Sequence, residues 1–298
     1  MEIEIIKVSV VIPVYGQWDL VERNIQSLLQ FDEQNILEIL IVDDCSPESP
    51  PSAILSPLVR LVKNEENLGY SGTVNNGLRR AESEYIVLLD SDAYLIGPIV
   101  QKLIETMTLS PSLGCLGFKS VGDQGQITGS YQFEPTLSGY IAGQALEARF
   151  QKLFKAEKNS IVPLSCCVGF RKSCLEDIEY FDAETFPVVE ADVDLALRIH
   201  QSNWMVKVTD QIVVSHQGGH SYKINSKRVR LYHAGKWNLF RKHQVIKYPE
   251  LVRFFLMIRI QSEIVIMNLI SLTGKQDTFS NDKLNGRRQL LNDVRQYR

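Results

Sequence analysis

The 298-residue chain is 44% hydrophobic and 22% charged, a globular profile that excludes disorder over most of its length. Its net charge of −3 hides a split: 16 Lys and Arg stand against 30 Asp and Glu through Tyr222, and 16 against 5 from Lys223 onward. An acidic body repels phosphate backbones and argues against nucleic-acid binding, while a basic tail points to an anionic partner.

Val8–Val14 (VSVVIPV) is a β-branched run apolar on both faces, as in a strand inside a parallel sheet. Trp18–Gln30 follows, with Val21, Ile25, Leu28 and Leu29 on one helical face. The alternation continues with strands at Leu37–Val42 and Arg60–Val62, a helix at Tyr70–Ala81, a strand at Tyr85–Leu89 and a helix at Pro98–Thr108. It predicts an α/β sheet whose ligands lie at the carboxyl ends of the strands. After Leu113–Phe118, GDQGQITGSYQF reads as a hairpin, Val188–Gln201 as a helix, and Met205–Val208 with Gln211–Val214 as a closing strand pair. From Lys227 the pattern is mainly helical, and a domain boundary is expected near Tyr222.

Three strands end in polar residues: Pro13-Val14-Tyr15-Gly16, Asp43-Asp44-Cys45-Ser46 and Asp90-Ser91-Asp92. In a parallel sheet these ends share one edge, so their side chains converge on one crevice. Two carboxylates one residue apart at the end of a buried strand call for a cation between them and their ligand, and a divalent metal is the economical choice. Asp-x-Asp alone is also ordinary turn and capping chemistry. Asp43-Asp44 fits either a turn or an acceptor for the N–H of a pyrimidine. Glycines 69, 72 and 77 in NEENLGYSGTVNNGL open a helix where backbone N–H groups can approach a phosphate or ribose. The spacing is neither a Walker loop nor a dinucleotide fingerprint. Glu190-Ala191-Asp192-Val193-Asp194 opens the next helix, where Asp192 is either an N-cap or a general base. SHQGGHS, with His216 and His220, supplies either a metal ligand or polar loop residues.

In this order VSVVIPVYGQ, ILIVDDCSPES, NEENLGYSGTVNNGL, YIVLLDSDAYL, FDAETFPVVEADVDLALRI and VVSHQGGHS resemble the family 2 glycosyltransferases, over roughly Val8 to His243. With RLYHAGKWNLFRKH, the later segments look most like rhamnosyltransferase-type enzymes of bacterial surface polysaccharide assembly. The resemblance implies a GT-A fold, a mixed nucleotide-sugar-binding sheet flanked by helices. Residues 1–222 would form that domain, with a nucleotide-sugar half to about 118 and an acceptor half after it, and 223–298 a basic helical extension. Pro13, Val14, Tyr15, Asp43 and Asp44 would line the nucleoside pocket, and Asn67, Gly69 and Asn76 the ribose and phosphates. Asp90 and Ser91 would touch the donor, Asp92 and His216 would hold Mn²⁺ or Mg²⁺, and Asp192 would be the catalytic base. The family's Glu-Asp-x-Asp is here Ala191-Asp192-Val193-Asp194, with a glutamate one place earlier, so Glu190 is the candidate replacement at the acceptor.

The implied reaction is inverting transfer from a nucleotide-sugar donor to a hydroxyl of a glycan or lipid-linked saccharide. A nucleotidylyltransferase would need a glycine-rich basic loop after the first strand, where YGQWDL stands. A silent nucleotide-sugar-binding module has Ala191 as its support. Five cysteines without a Cys-x-x-Cys pair, no secretory signal and no uninterrupted span fit a cytoplasmic protein. Arg253, Arg259 and Glu263 interrupt the apolar run at Tyr248–Gly274, so that helix is expected either at a membrane interface or packed on the catalytic domain or on a second subunit.

Overall fold

The computed structural model describes residues 6–54, 56–143, 160–216, 226–271 and 278–297. The expected boundary at Tyr222, and His220, lie outside these residues. The chain forms two compact units, residues 1–133 with 160–220, and residues 134–159 with 221–298.

The first unit is built on an eight-stranded mixed sheet. Its strands are β1 (Val8–Val14), β2 (Ile36–Asp43), β3 (Val59–Lys63), β4 (Tyr85–Leu89), β5 (Ala93–Leu95), β6 (Leu113–Val121), β9 (Cys167–Arg171) and β10 (Met205–His216), in the order β3-β2-β1-β4-β9-β6-β10-β5. The β-branched run of β1 is buried at every position because it pairs in parallel with β2 on one side and β4 on the other. Helices α1 (Trp18–Asp32), α2 (Gly69–Arg80) and α3 (Val100–Thr108) alternate with these strands. Gly77 lets α2 lie close on the sheet, since a Cβ there would run into Val11 and come within 2.9 Å of Val42 Cγ2.

Beyond β4 the sheet stops being parallel. β9 runs antiparallel between β4 and β6, and β5 runs antiparallel to β10 at the far edge. The Gly122–Phe133 segment does reverse, through Gly122 N donating to Gln126 O and Thr128 N to Ser120 O. Its second arm, β7 (Tyr131–Phe133), then pairs with β8 (Ile161–Pro163) and not with β6 as a simple hairpin would. The expected strand pair at Met205–Val214 is one strand, β10, running parallel to β6 with a register break between Val208 and Val213. After β9 comes the short helix α5 (Lys172–Asp177), then α6 (Ala191–His200). The helix predicted from Val188 begins at Ala191, because Glu190 takes a left-handed conformation (φ 62°) that no helical residue adopts.

The second unit is helical: α4 (Leu137–Ala142), α7 (Ser226–Lys242), α8 (Pro249–Ser271) and α9 (Thr278–Gln296). Its own core joins Tyr140, Trp237, Phe240, Leu256, Ile260 and Leu290.

Candidate active site and metal centre

The loops that follow β1, β2 and β3 are tied together by the first acidic pair. Asp43 accepts from Ser46 N (2.8 Å), and Ser46 Oγ accepts from Gly16 N (2.7 Å). Asp44 Oδ1 accepts from Leu68 N (2.7 Å) and Asn64 Nδ2 (2.8 Å), while its backbone oxygen accepts from Asn67 Nδ2 (3.2 Å). Asn76 Nδ2 donates to Asn64 Oδ1, and Gly69 N to Asn67 Oδ1. Gly69 needs its positive φ of 70° and its missing side chain, since a Cβ would stand 3.2 Å from Pro187 O. Asp43 and Asp44 are thus buried framework residues that shape this edge, Pro13 and Val14 are buried in β1, and Tyr15 is exposed at the rim.

The second acidic group forms where β4 ends. The antiparallel register of β10 with β5 puts His216 opposite Ala93, next to Asp92 in sequence, and His216 Nε2 lies 3.3 Å from Asp92 Oδ1. Asp90, Asp92 and His216 each offer a ligand atom within 4.8 Å of the others. Burial and then the neighbouring Asp92 carboxylate push Asp90 up to about 7. Burial opposes the His216 imidazolium, but Asp92 and Cys166 outweigh it and raise the group to about 10. A carboxyl whose pKa is raised by burial and by a second carboxylate beside it is what a cation site looks like without its charge. Two carboxylates and an imidazole suit Mn²⁺ or Mg²⁺, the nitrogen donor favouring Mn²⁺.

Asp192 belongs to the first turn of α6 and is half-buried. Burial raises its pKa, opposed by hydrogen bonds from the Ser165 hydroxyl and backbone. Asp194, fully buried, has a structural partner in Arg198 (2.8 Å). Ala191 is buried as the first helical residue, and Glu190 is nine-tenths buried at the N-cap position.

Two residues that sequence motifs did not mark connect these centres. Tyr70 Oη donates to Asp90 Oδ1 (3.1 Å) and stands 2.7 Å from Ser165 Oγ, which in turn contacts Asp192. The side-chain path Asp90–Tyr70–Ser165–Asp192 therefore has three oxygen contacts and two hydroxyl protons. Burial, then Asp90 and Asp192, hold the Tyr70 phenol well above its ordinary value, so it stays a donor. Asn24 Nδ2 donates to Asp90 O (3.0 Å) and Asp90 N to Cys166 O (2.9 Å), fixing the backbone at the strand end. Tyr70 sits inside a segment conspicuous for its glycines, and Ser165 precedes β9, a strand the periodicity does not reveal.

Residues 9–179 match the model of Glycosyl transferase family 2. The succinoglycan biosynthesis protein ExoO of Rhizobium meliloti (strain 1021) is 35% identical over 101 residues, 33% of this chain and 29% of that protein. The O-antigen biosynthesis protein RfbC of Myxococcus xanthus is 26% identical over 219 residues, 70% of this chain and 17% of that protein. Poly-beta-1,6-N-acetyl-D-glucosamine synthase of Staphylococcus epidermidis is 25% identical over 205 residues, 67% of this chain and 47% of the synthase. The matched regions thus span less than half the length of each relative. Among solved structures, the mannosyltransferase PcManGT from Pyrobaculum calidifontis, in complex with GDP-Man and Mn²⁺, superposes with a TM-score of 0.56 at 14% identity, covering 97% of this chain and 86% of that one. Staphylococcus aureus TarS gives 0.53 at 18% identity, over 79% of this chain and 38% of its own.

Proposed function

The chain belongs to the family 2 glycosyltransferases and has the GT-A fold, and from that premise we propose that it carries out metal-dependent, inverting sugar transfer in bacterial surface-polysaccharide assembly. The donor is a nucleotide-sugar, and the acceptor a hydroxyl of a glycan or lipid-linked saccharide. The observation that carries this reading is the convergence of Asp90, Asp92 and His216 with Asp192 linked to them through Ser165 and Tyr70.

The nucleoside lies along the edge shaped by Asp43, Asp44 and Asn67, with the Tyr15 ring at its rim. Asp90 and Ser91 face the sugar-diphosphate. Asp92 and His216 hold the divalent ion, which when bound supplies Lewis-acid neutralisation of the diphosphate. Asp192 takes the proton of the acceptor hydroxyl as that oxygen bonds to the anomeric carbon. The bond from that carbon to the diphosphate oxygen breaks, and its electron pair leaves with the nucleoside diphosphate. One displacement inverts the anomeric centre. Glu190, just ahead of the α6 N-terminus, orients the acceptor in place of the acid missing at Ala191.

A screen of UDP-, GDP- and dTDP-sugars with Mn²⁺, reading released nucleoside diphosphate with and without saccharide acceptors, tests the proposal. Expected is release from one donor class that an acceptor accelerates and Asp192→Asn abolishes. Release insensitive to that substitution would remove Asp192 as the base.

A further inference from the structure

The 23-residue helix α8 (Pro249–Ser271) is apolar on two sides: Val252, Leu256 and Ile260 are buried in the core of the helical unit, and a second set of apolar residues faces outward. Three of its four charged side chains, Arg253, Arg259 and Glu263, turn toward the rest of the helical unit, while Glu250 in the first turn is exposed and pairs with Arg253. Arg253 Nη1 donates to Tyr297 O (2.8 Å). Arg259 donates to Tyr140 O (3.0 Å), reaches His233 Nε2 (3.2 Å) and pairs with Glu263 (3.4 Å), which also pairs with Arg287. The charges that break the apolar run in sequence therefore do not break its outer face.

That face carries Leu251, Phe254, Phe255, Ile258, Val265 and Leu269, each between 44% and 59% exposed. The spacing of 3, 1, 3, 7 and 4 residues keeps them on one side of the helix. Scattered exposed apolar residues need no explanation, but a stripe that includes two adjacent phenylalanines and is interrupted at Ser262 marks a surface to be covered. Exposed Arg241, Lys242, Lys247 and Tyr248 precede it in the chain.

We infer that this face docks on an anionic membrane surface. Charge complementarity decides the occupant. The chain from Lys223 onward carries 16 basic against 5 acidic residues, so a second copy meeting this face would bring like charges together. Anionic lipid headgroups supply the opposite charge, and the acyl boundary takes up the phenylalanines and aliphatic residues. Among the described residues no helix is long and apolar enough to cross a membrane, so the helix lies in the interface plane. Such a surface would hold a glycosyltransferase beside a lipid-linked acceptor, but the docking itself does not depend on the transfer reaction.

Flotation of the full chain with phosphatidylglycerol–phosphatidylcholine vesicles, against phosphatidylcholine alone, tests the inference. Wild type should float with the anionic vesicles, and 0.5 M NaCl should weaken binding without abolishing it, because salt screens the headgroup attraction but not apolar insertion. F254S/F255S should lower the partition coefficient at least tenfold, since each phenylalanine forfeits its apolar transfer. K242E/K247E should cost roughly fivefold or more per residue on anionic vesicles and little on neutral ones. Light scattering without lipid completes the test. A wild-type dimer that F254S/F255S converts to a monomer assigns the face to a second copy and overturns the inference, as does flotation indifferent to the phenylalanines or to the anionic lipid. Folding of each variant is checked by circular dichroism, and a single F255S substitution, at an already exposed position, stands in if the double variant fails to fold.

Discussion

The two units handle buried charge in opposite ways. In the sheet unit, Asp90 and Asp92 are held close together at a strand end, with Asp192 linked to them through two hydroxyls, and both Asp90 and Asp192 are shifted upward. In the helical unit, Arg259, Glu263 and Arg287 form an alternating series, and Arg230 pairs with Asp293. One unit gathers like charges at a strand end; the other pairs opposite charges in its interior and carries, besides its own core, an apolar stripe on the outside. Unbalanced charge at a strand end is an appetite for a cation and a diphosphate, whereas an uncovered apolar face is an appetite for a surface.

The sharpest way to break the contrast is to remove the charge imbalance. Asp92→Ala is expected to abolish Mn²⁺-dependent donor binding, measured by calorimetry with and without chelator, and to reduce transfer to background. If the variant turns over at the wild-type rate in Mn²⁺, the charge cluster is structural and the two units are more alike than they look.

Asp192→Asn keeps the shape and deletes the base. Transfer should fall by a factor on the order of 10² to 10⁴ while donor affinity stays nearly unchanged. Equal losses in both quantities would instead mark Asp192 as a helix-terminus residue. Glu190→Gln is the companion: a large fall in rate, concentrated in the acceptor KM, places the displaced glutamate at the acceptor.

Tyr70→Phe sharpens the comparison further, because it breaks the hydroxyl path between the two acidic centres without changing any charge. A hydrogen bond to a charged group is worth roughly 1.5–3 kcal/mol, so a loss of about tenfold or more in kcat is expected. Ser165→Ala should cost little more in the Tyr70→Phe background, whereas additive losses would mean that the two hydroxyls act separately.

How much of this was legible in the sequence follows from the kind of signal each part carries. The parallel half of the sheet announces itself through β-branched runs and helical periodicity, and Tyr85–Leu89 is identical in both readings. The antiparallel half does not. β9 is five residues of CVGFR, and β5 is three residues directly after the aspartates, too short to show a period. Yet β5 is what brings His216 to Asp92, so the histidine is suggested by its motif and its placement depends on pairing that only the tertiary fold determines. Asp43 and Asp44 read as ligand groups but spend much of their bonding capacity on Ser46, Asn64 and Leu68. In the tail, sequence order made Arg253, Arg259 and Glu263 look like interruptions, and helical geometry turns them inward.

The smallest effect is also the one that opposes the two units directly, through two histidines shifted in opposite directions. Burial, together with Arg259, Arg287 and Lys236, depresses His233 to about 3. Its contribution to stability is present above the unfolded value near 6.5 and is lost as pH falls toward 3. At pH 5 the helical unit should therefore have lost stability on the order of 1–2 kcal/mol. His216 and Asp90 have raised folded values, about 10 and about 7. Their contributions are complete below the unfolded values and fade as pH rises through the folded ones, so the metal-free sheet unit should gain stability on acidification. Hydrogen exchange in chelator, compared at pH 7.5 and 5.5 after correction for intrinsic rates, should show protection rising in Val8–Val14 and falling in Ser226–Lys242. His233→Gln, which keeps an acceptor for Arg259 but cannot take up a proton, should flatten the second response and leave the first alone. If both segments shift in the same direction, the two units unfold as one, and their contrast in charge does not translate into separate stabilities.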